Sequence, residues 1–180
     1  MGCKSRWNQS PGRTVSGELV TKHSLEIARV KLHLAEFNIG ILKYDWEDPR
    51  VADFANNLDR VYDIARRAPG YVWHMENEDM EAAQLDVQGV LGGNPRTAST
   101  LSVWRDVASF RAFVFNTVHK QFYDRKTEWY DDAEQGTRLV MWWVPEGHFP
   151  SVAEAVERLT HLTEHGHSDH AFGWAHVAPA

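Results

Sequence analysis

Cysteine is almost missing from this chain: Cys3 stands alone, which rules out an internal disulfide and a cysteine-built zinc site. No apolar run approaches the roughly 18 residues that a membrane span needs. There is no stripe of lysine and arginine, and the net charge of −6 is of the wrong sign for a nucleic-acid surface. Also absent are Gly-x-Gly-x-x-Gly, a phosphate loop, a Gly-x-Ser-x-Gly elbow and a cysteine nucleophile with an evident base. Nucleotide chemistry and the common covalent hydrolases are therefore not expected. The first six residues, MGCKSR, come near a myristoylation signal, but that pattern wants Ser or Thr where Arg6 stands. The chain reads as soluble and cytoplasmic, with no membrane and no nucleic-acid partner.

What is present is bulk. Eight tryptophans and eight phenylalanines in 180 residues supply enough apolar surface for one good core. Residues 1–28 lack a clean period and are rich in Ser, Gly, Lys and Arg, so they read as an extension outside a single domain over 29–180, with Trp7 free to dock on it.

Along that domain, KLHLAEFN from Lys31 alternates, with Leu32, Leu34, Glu36 and Asn38 on one face. Asp48-Pro49 opens a helix carrying Val51, Phe54, Leu58, Val61 and Ala65, stopped at Ala68-Pro69-Gly70. YVWHM from Tyr71 is a short strand. A long polar, glycine-rich connection over 76–95 is expected to hold a small strand near 85–90, and TASTLSVW from Thr97 is the third main strand. Asp106 caps a helix with Val107, Phe110, Val114 and Val118 on one stripe and Phe115, His119 and Phe122 on another, continuing through Trp129. After a break near 131–136 the strand 138–144 follows. A capping box, Ser151 with Glu154, then starts a last helix that ends at Gly166.

The order β-α-β-β-α-β plus a C-terminal helix predicts an α+β, ferredoxin-like fold with helices on one face of the sheet. Trp142 and Trp143 are adjacent and must point to opposite faces. If helices cover one ring, a second copy of the chain is expected to cover the other.

The stretches TLSVWRDVASFRAFVFNTVHKQFYDRKTEWY and LVMWWVPEGHFPSVAEAVERLTHL, with their Trp-Trp-x-Pro-x-Gly-His-x-Pro segment, resemble an actinobacterial family of unknown function in the dimeric α/β-barrel superfamily. That superfamily also holds antibiotic-biosynthesis and haem-degrading monooxygenases. The resemblance covers roughly Leu32 to Trp174. It implies a homodimeric α/β barrel with a small-molecule cavity between sheet and helices. Haem-degrading members use an Asn, a Trp and a His. Asn38, Trp104 and His119 are of those types, but the spacing of Trp104 and His119 departs from the pattern, so no catalytic set is carried across.

The expected function is binding of an apolar or aromatic, natural-product-like molecule, with a cofactor-independent oxygenation, isomerisation or cyclisation in view. His119 is the candidate proton acceptor, because imidazole exchanges protons near neutrality. Arg125 or Tyr123 would steady an enolate-like oxygen. Asn38, Trp104, Phe113, Trp129, Trp142, Trp143 and His148 are the candidate binding residues. For His119 a buried histidine bonded across the core, and for His148 a brace of the Pro145–Pro150 turn, are the plainer alternatives; Arg125 can equally be a surface residue. No cofactor is expected in the main reading, and haem on His119 or His148 is the alternative. A non-catalytic dimeric scaffold is the third reading. His161, Glu164 and His165 match H-x-x-E-H, yet the helix is ending there and the setting is wrong for a zinc protease, so no catalytic metal is expected.

Overall fold

The computed structural model describes residues 30–131 and 138–177. The extension at 1–28, including Trp7 and the near-myristoylation signal, lies outside the described residues, as does most of the break at 131–136.

The described chain is α+β. Strands β1 (Leu32–Ile41), β2 (Tyr71–His74), β3 (Thr97–Trp104) and β4 (Leu139–Pro145) form a sheet in the order β2-β3-β1-β4, and every neighbouring pair is antiparallel. The connections from β1 to β2 and from β3 to β4 each carry helices across a strand that lies between. The first holds α1 (Ala52–Ala55) and α2 (Leu58–Arg67); α3 (Asn77–Leu85) lies between β2 and β3; the second holds α4 (Val107–Asn116), α5 (His119–Asp124) and α6 (Lys126–Trp129); α7 (Val152–His165) follows β4. No described helix is long and apolar enough to cross a membrane.

A sheet wet on one side shows alternating burial. Here Leu34, Ala35, Glu36 and Phe37 are consecutive and all buried, so β1 is covered on both faces. Register assigns the faces. Leu34, Glu36 and Asn38 stand opposite Trp104, Ser102 and Thr100, beneath Ala65 of α2 and Phe110, Phe113 and Val114 of α4. Ala35 and Phe37, with Leu101, Val103, Val140 and Trp142, pack against Val152, Ala155 and Leu162 of α7 and Met80 of α3. Helices therefore lie on both faces, contrary to the expectation of one. Helix α7, through Val152, Ala155 and Leu162, covers the face that seemed to need a second copy.

Three other differences have local causes. The 76–95 connection holds α3 rather than a strand near 85–90, because NEDMEAAQL is built of good helix formers. Its Gln84 amide meets the Thr97 carbonyl (3.2 Å) and the Ser99 N–H (3.0 Å), standing in where β2 stops short along the edge of β3. The first helix is split, since Asn57 turns its side chain onto the Asp53 carbonyl (2.8 Å), and Asp48 binds Arg50 (2.6 Å) instead of capping it. The long helix breaks at Thr117, which is extended; its hydroxyl donates to the Phe113 carbonyl (2.7 Å) and accepts from the His119 N–H (3.2 Å).

Asp106 does cap α4, accepting from the Ser109 N–H at 2.7 Å. Just before β2, Gly70 has φ +84°, and an added Cβ would lie 2.5 Å from Ser109 Cβ. Gly70→Ala is expected to cost about 2 kcal/mol, measurable as a lowered denaturation midpoint with unchanged m-value.

Candidate functional site

Helices α2, α4, α5 and α6 stand over the Glu36 face of the sheet, and the cavity beneath them, about 1200 Å³ in all, runs on to Met80, Gln84 and Leu85 of α3. Ordinary ligand pockets span roughly 300–1,000 Å³, so this one is large, and its lining mixes apolar with polar and charged residues. One wall is apolar: Val61, Ala65, Trp104, Phe110 and Phe113, with Trp104 stacked on Phe113 at 4.9 Å.

The floor is polar. Register sets His74 of β2, Ser102 of β3 and Glu36 of β1 in one row across three strands. Glu36 is 4% exposed, and a carboxyl so deeply buried resists ionisation. The Ser102 hydroxyl donates to Glu36 Oε1, and the Trp104 indole N–H donates to Ser102 Oγ at 2.8 Å, which fixes the direction of the hydroxyl proton. Among the described residues no hydrogen bond engages Glu36 Oε2. Burial pushes this carboxyl up to about 8, against the weaker downward pull of Ser102. At neutral pH Glu36 is therefore mostly a neutral acid that can give a proton to an occupant of the cavity.

His74 is buried and has partners at both nitrogens. Arg66 Nη2 lies 3.3 Å from Nε2, which leaves the ring proton on Nδ1 for the Tyr71 hydroxyl at 2.5 Å. Burial lowers its pKa, with Glu76 pulling the other way. Tyr62 stacks on the ring at 4.8 Å. Burial, reinforced by Glu36, holds the Tyr62 phenol well above its usual range, and burial does the same to Tyr130. Both phenols line the cavity as donors. Tyr130 reaches its place because Gly40 has no side chain; a Cβ there would lie 2.5 Å from the Tyr130 ring.

His119 stands in the first turn after Thr117 with its ring 5.0 Å from Phe113. Its Nδ1 is buried and has no hydrogen-bond partner among the described residues. Burial lowers its pKa, opposed weakly by the Val114 carbonyl, so the imidazole is neutral and retains a lone pair.

Of the residues singled out from the sequence, Asn38, Trp104, Phe113, His119, Tyr123 and Trp129 line this cavity. Four do not. Arg125 points away, bonded to Asp53 (2.5 Å) and Glu128 (2.8 Å) at the surface. Trp142 is buried on the opposite sheet face, where its indole N–H donates to Glu154 Oε1 at 2.9 Å. His148 is exposed and meets Glu154 Oε2 at 2.8 Å, so the capping-box glutamate ties the turn to Trp142. Trp143 shares the Glu36 face but lies at the sheet edge, 40% exposed and against Phe172 (6.1 Å). Glu36, Ser102, Tyr62, His74 and Tyr130 went unnoticed. The signal for Glu36 was present: a carboxylate in mid-strand, on the face shared with Leu34 and Asn38.

No functionally curated protein shows significant similarity to the chain. A crystal structure of the NE2512 protein of unknown function from Nitrosomonas europaea is similar at 12% identity over 68% of this chain and 98% of that one, with a TM-score of 0.43, too distant to carry fold or function across. The model of the domain of unknown function DUF3291 matches residues 33–180, which takes in the sheet from its second residue onward, the cavity wall and α7. The chain belongs to the DUF3291 family.

Proposed function

We propose that this protein binds an apolar or aromatic carbonyl compound between its sheet and helices and moves a proton on it without a cofactor, as an isomerase, a cyclase or the enolising half of an oxygenase does. The observation that carries this reading is Glu36, a carboxyl buried on a cavity floor with only Oε1 engaged among the described residues, which burial pushes well above the usual carboxylate range. A buried neutral acid is a strong hydrogen-bond donor to a carbonyl oxygen, and more so to the enolate that develops from it. His119, a neutral imidazole of the cavity lining, is the base that accepts the carbon-bound proton, and Tyr123 offers a second donor to the oxygen. Arg125, held by two carboxylates outside the cavity, takes no part.

The test is exchange of α-protons for deuterium in a panel of aryl ketones and β-diketones, followed by proton NMR in D₂O near neutrality. Enzyme-dependent exchange is expected for at least one member, falling about 100-fold or more in both Glu36→Gln and His119→Gln. Exchange that survives Glu36→Gln undiminished contradicts the assignment of the acid. Absence of exchange across the panel favours a non-catalytic binding scaffold.

The ferredoxin-like part of the reading is supported by the antiparallel order β2-β3-β1-β4 with helical crossovers over one face. Helix α7 covers the sheet face that a homodimeric barrel would use, so a second copy would have to pack elsewhere, as at the Trp143 edge. Haem is a second reading, resting on His119 as an imidazole among the cavity's lining residues; His148 has no comparable position. A Soret band on adding haemin that disappears in His119→Ala supports it, and no band rejects it.

A further inference from the structure

The end of α7 carries a histidine cluster that the cavity chemistry does not use. Glu157 and His161 are four residues apart and so lie on one face of the helix. After Gly166, whose φ of +76° ends the helix, the chain doubles back and lays His170 against them. Glu157 Oε1 lies 2.8 Å from His170 Nε2, and the rings of His161 and His170 are 4.5 Å apart. One ligand atom from each of the three residues falls within 4.8 Å of the others. The doubling back is itself ordered: Ser168 N–H donates to the Ala171 carbonyl (2.9 Å) and Ser168 Oγ approaches His161 Nε2 (3.3 Å).

We propose that Glu157, His161 and His170 bind one divalent zinc-class ion, with water in the fourth position, and that the ion clasps the C-terminal segment to α7. Two imidazoles and one carboxylate are a donor set suited to zinc. A cation already occupies the neighbourhood. Arg158 Nη1 lies 2.9 Å from His170 Nε2 and donates to the His170 carbonyl (3.1 Å), while its Nε lies 3.4 Å from Glu157 Oε2. A metal would take over the charge balance that the guanidinium now provides, and the two compete. The H-x-x-E-H pattern named a different set: Glu164 and His165 are both exposed, pairing with each other at 3.7 Å.

The clasp acts on residues beyond itself. The segment it would hold carries Phe172, which bridges to Met141 of β4 (2.7 and 2.9 Å), and Trp174, which stacks on Phe110 at 5.2 Å and lines the cavity. Metal bound on one side of the sheet thus steadies a wall on the other.

The experiment is calorimetric titration of tag-free protein with zinc chloride near neutral pH, with melting curves taken alongside. One zinc per chain is expected, with a raised Tm. Binding should weaken about tenfold or more in His161→Ala and His170→Ala, stay unchanged in His165→Ala, and tighten in Arg158→Gln. All four side chains lie at or near the surface, and circular dichroism verifies that each variant is folded. Zinc that binds equally well to His170→Ala, or that leaves the wild-type Tm unmoved, is an adventitious ion only and overturns the proposal. So does weaker binding by Arg158→Gln.

Discussion

Glu36→Gln is expected to be more stable than the wild type in mildly alkaline buffer and less active at any pH. Folding raises this carboxyl from 4.5 to about 8, so between those values the native chain keeps a proton that the unfolded chain has released. Stability conferred by the protonated group is complete below about 4.5 and is lost as pH climbs through about 8. The loss by pH 8 comes to about 4 kcal/mol, or roughly 10 °C in Tm for a chain of this size. Glutamine keeps the shape and the polar contact with Ser102 but cannot ionise. Melting curves at pH 5 and pH 8 should therefore converge for the variant and separate for the wild type. Equal separation in both would place the titrating group elsewhere. A buried carboxyl that costs stability as the pH rises is a local conflict of the kind that packing alone does not explain.

Trp142→Ala and Trp143→Ala are expected to differ sharply although the two residues are neighbours. Trp142 is 1% exposed between β4 and α7, and its removal leaves a large void and takes away the indole donor of Glu154. The cost should be about 3–5 kcal/mol, seen as a Tm lower by roughly 10 °C or more. Glu154 would also lose its hold on the turn that carries His148. Trp143 is partly in water and leans on a single ring, Phe172, so its loss should cost about 1 kcal/mol. Comparable costs at the two positions, read from denaturant midpoints, would mean that another surface covers Trp143 in solution, and would revive the case for a second copy at that edge.

The pattern of elements was legible where one residue type decides the local structure. TASTLSVW, β-branched and bounded by Arg-Asp, is β3 over the same residues. Asp106 and Ser151 cap the helices they were expected to cap. What could not be read depends on distance. Thr117 sits in an otherwise helical run, and only the competing bond of its hydroxyl to Phe113 shows why α4 stops there. The burial of Trp142 and Trp143 on opposite faces followed from alternation, but which body covers each face did not. Helix α7 is long enough to cover a sheet, and nothing in its stripe says whose sheet.

The site divides in the same way. Six candidate residues line the cavity because aromatic and amide groups on β1, β3 and the α4–α6 run were the right places to look. Arg125 was chosen for its chemistry, and its two acidic partners, one of them 72 residues away, take it out of play. In the sequence Glu36 is a mid-strand carboxylate beside Leu34 and Asn38, and nothing local to it reports how deeply that face is covered. Only the helices stacked above it turn an ordinary glutamate into a neutral acid.

The most direct measurement is a carbon-13 NMR titration of the glutamate carboxyl carbons, with Glu36→Gln identifying the resonance. One glutamate should stay protonated through neutrality and release its proton near pH 8, and its signal should vanish in the variant. A spectrum in which every glutamate has ionised by pH 5.5 would contradict the buried acid and, with it, the proton chemistry assigned to the cavity.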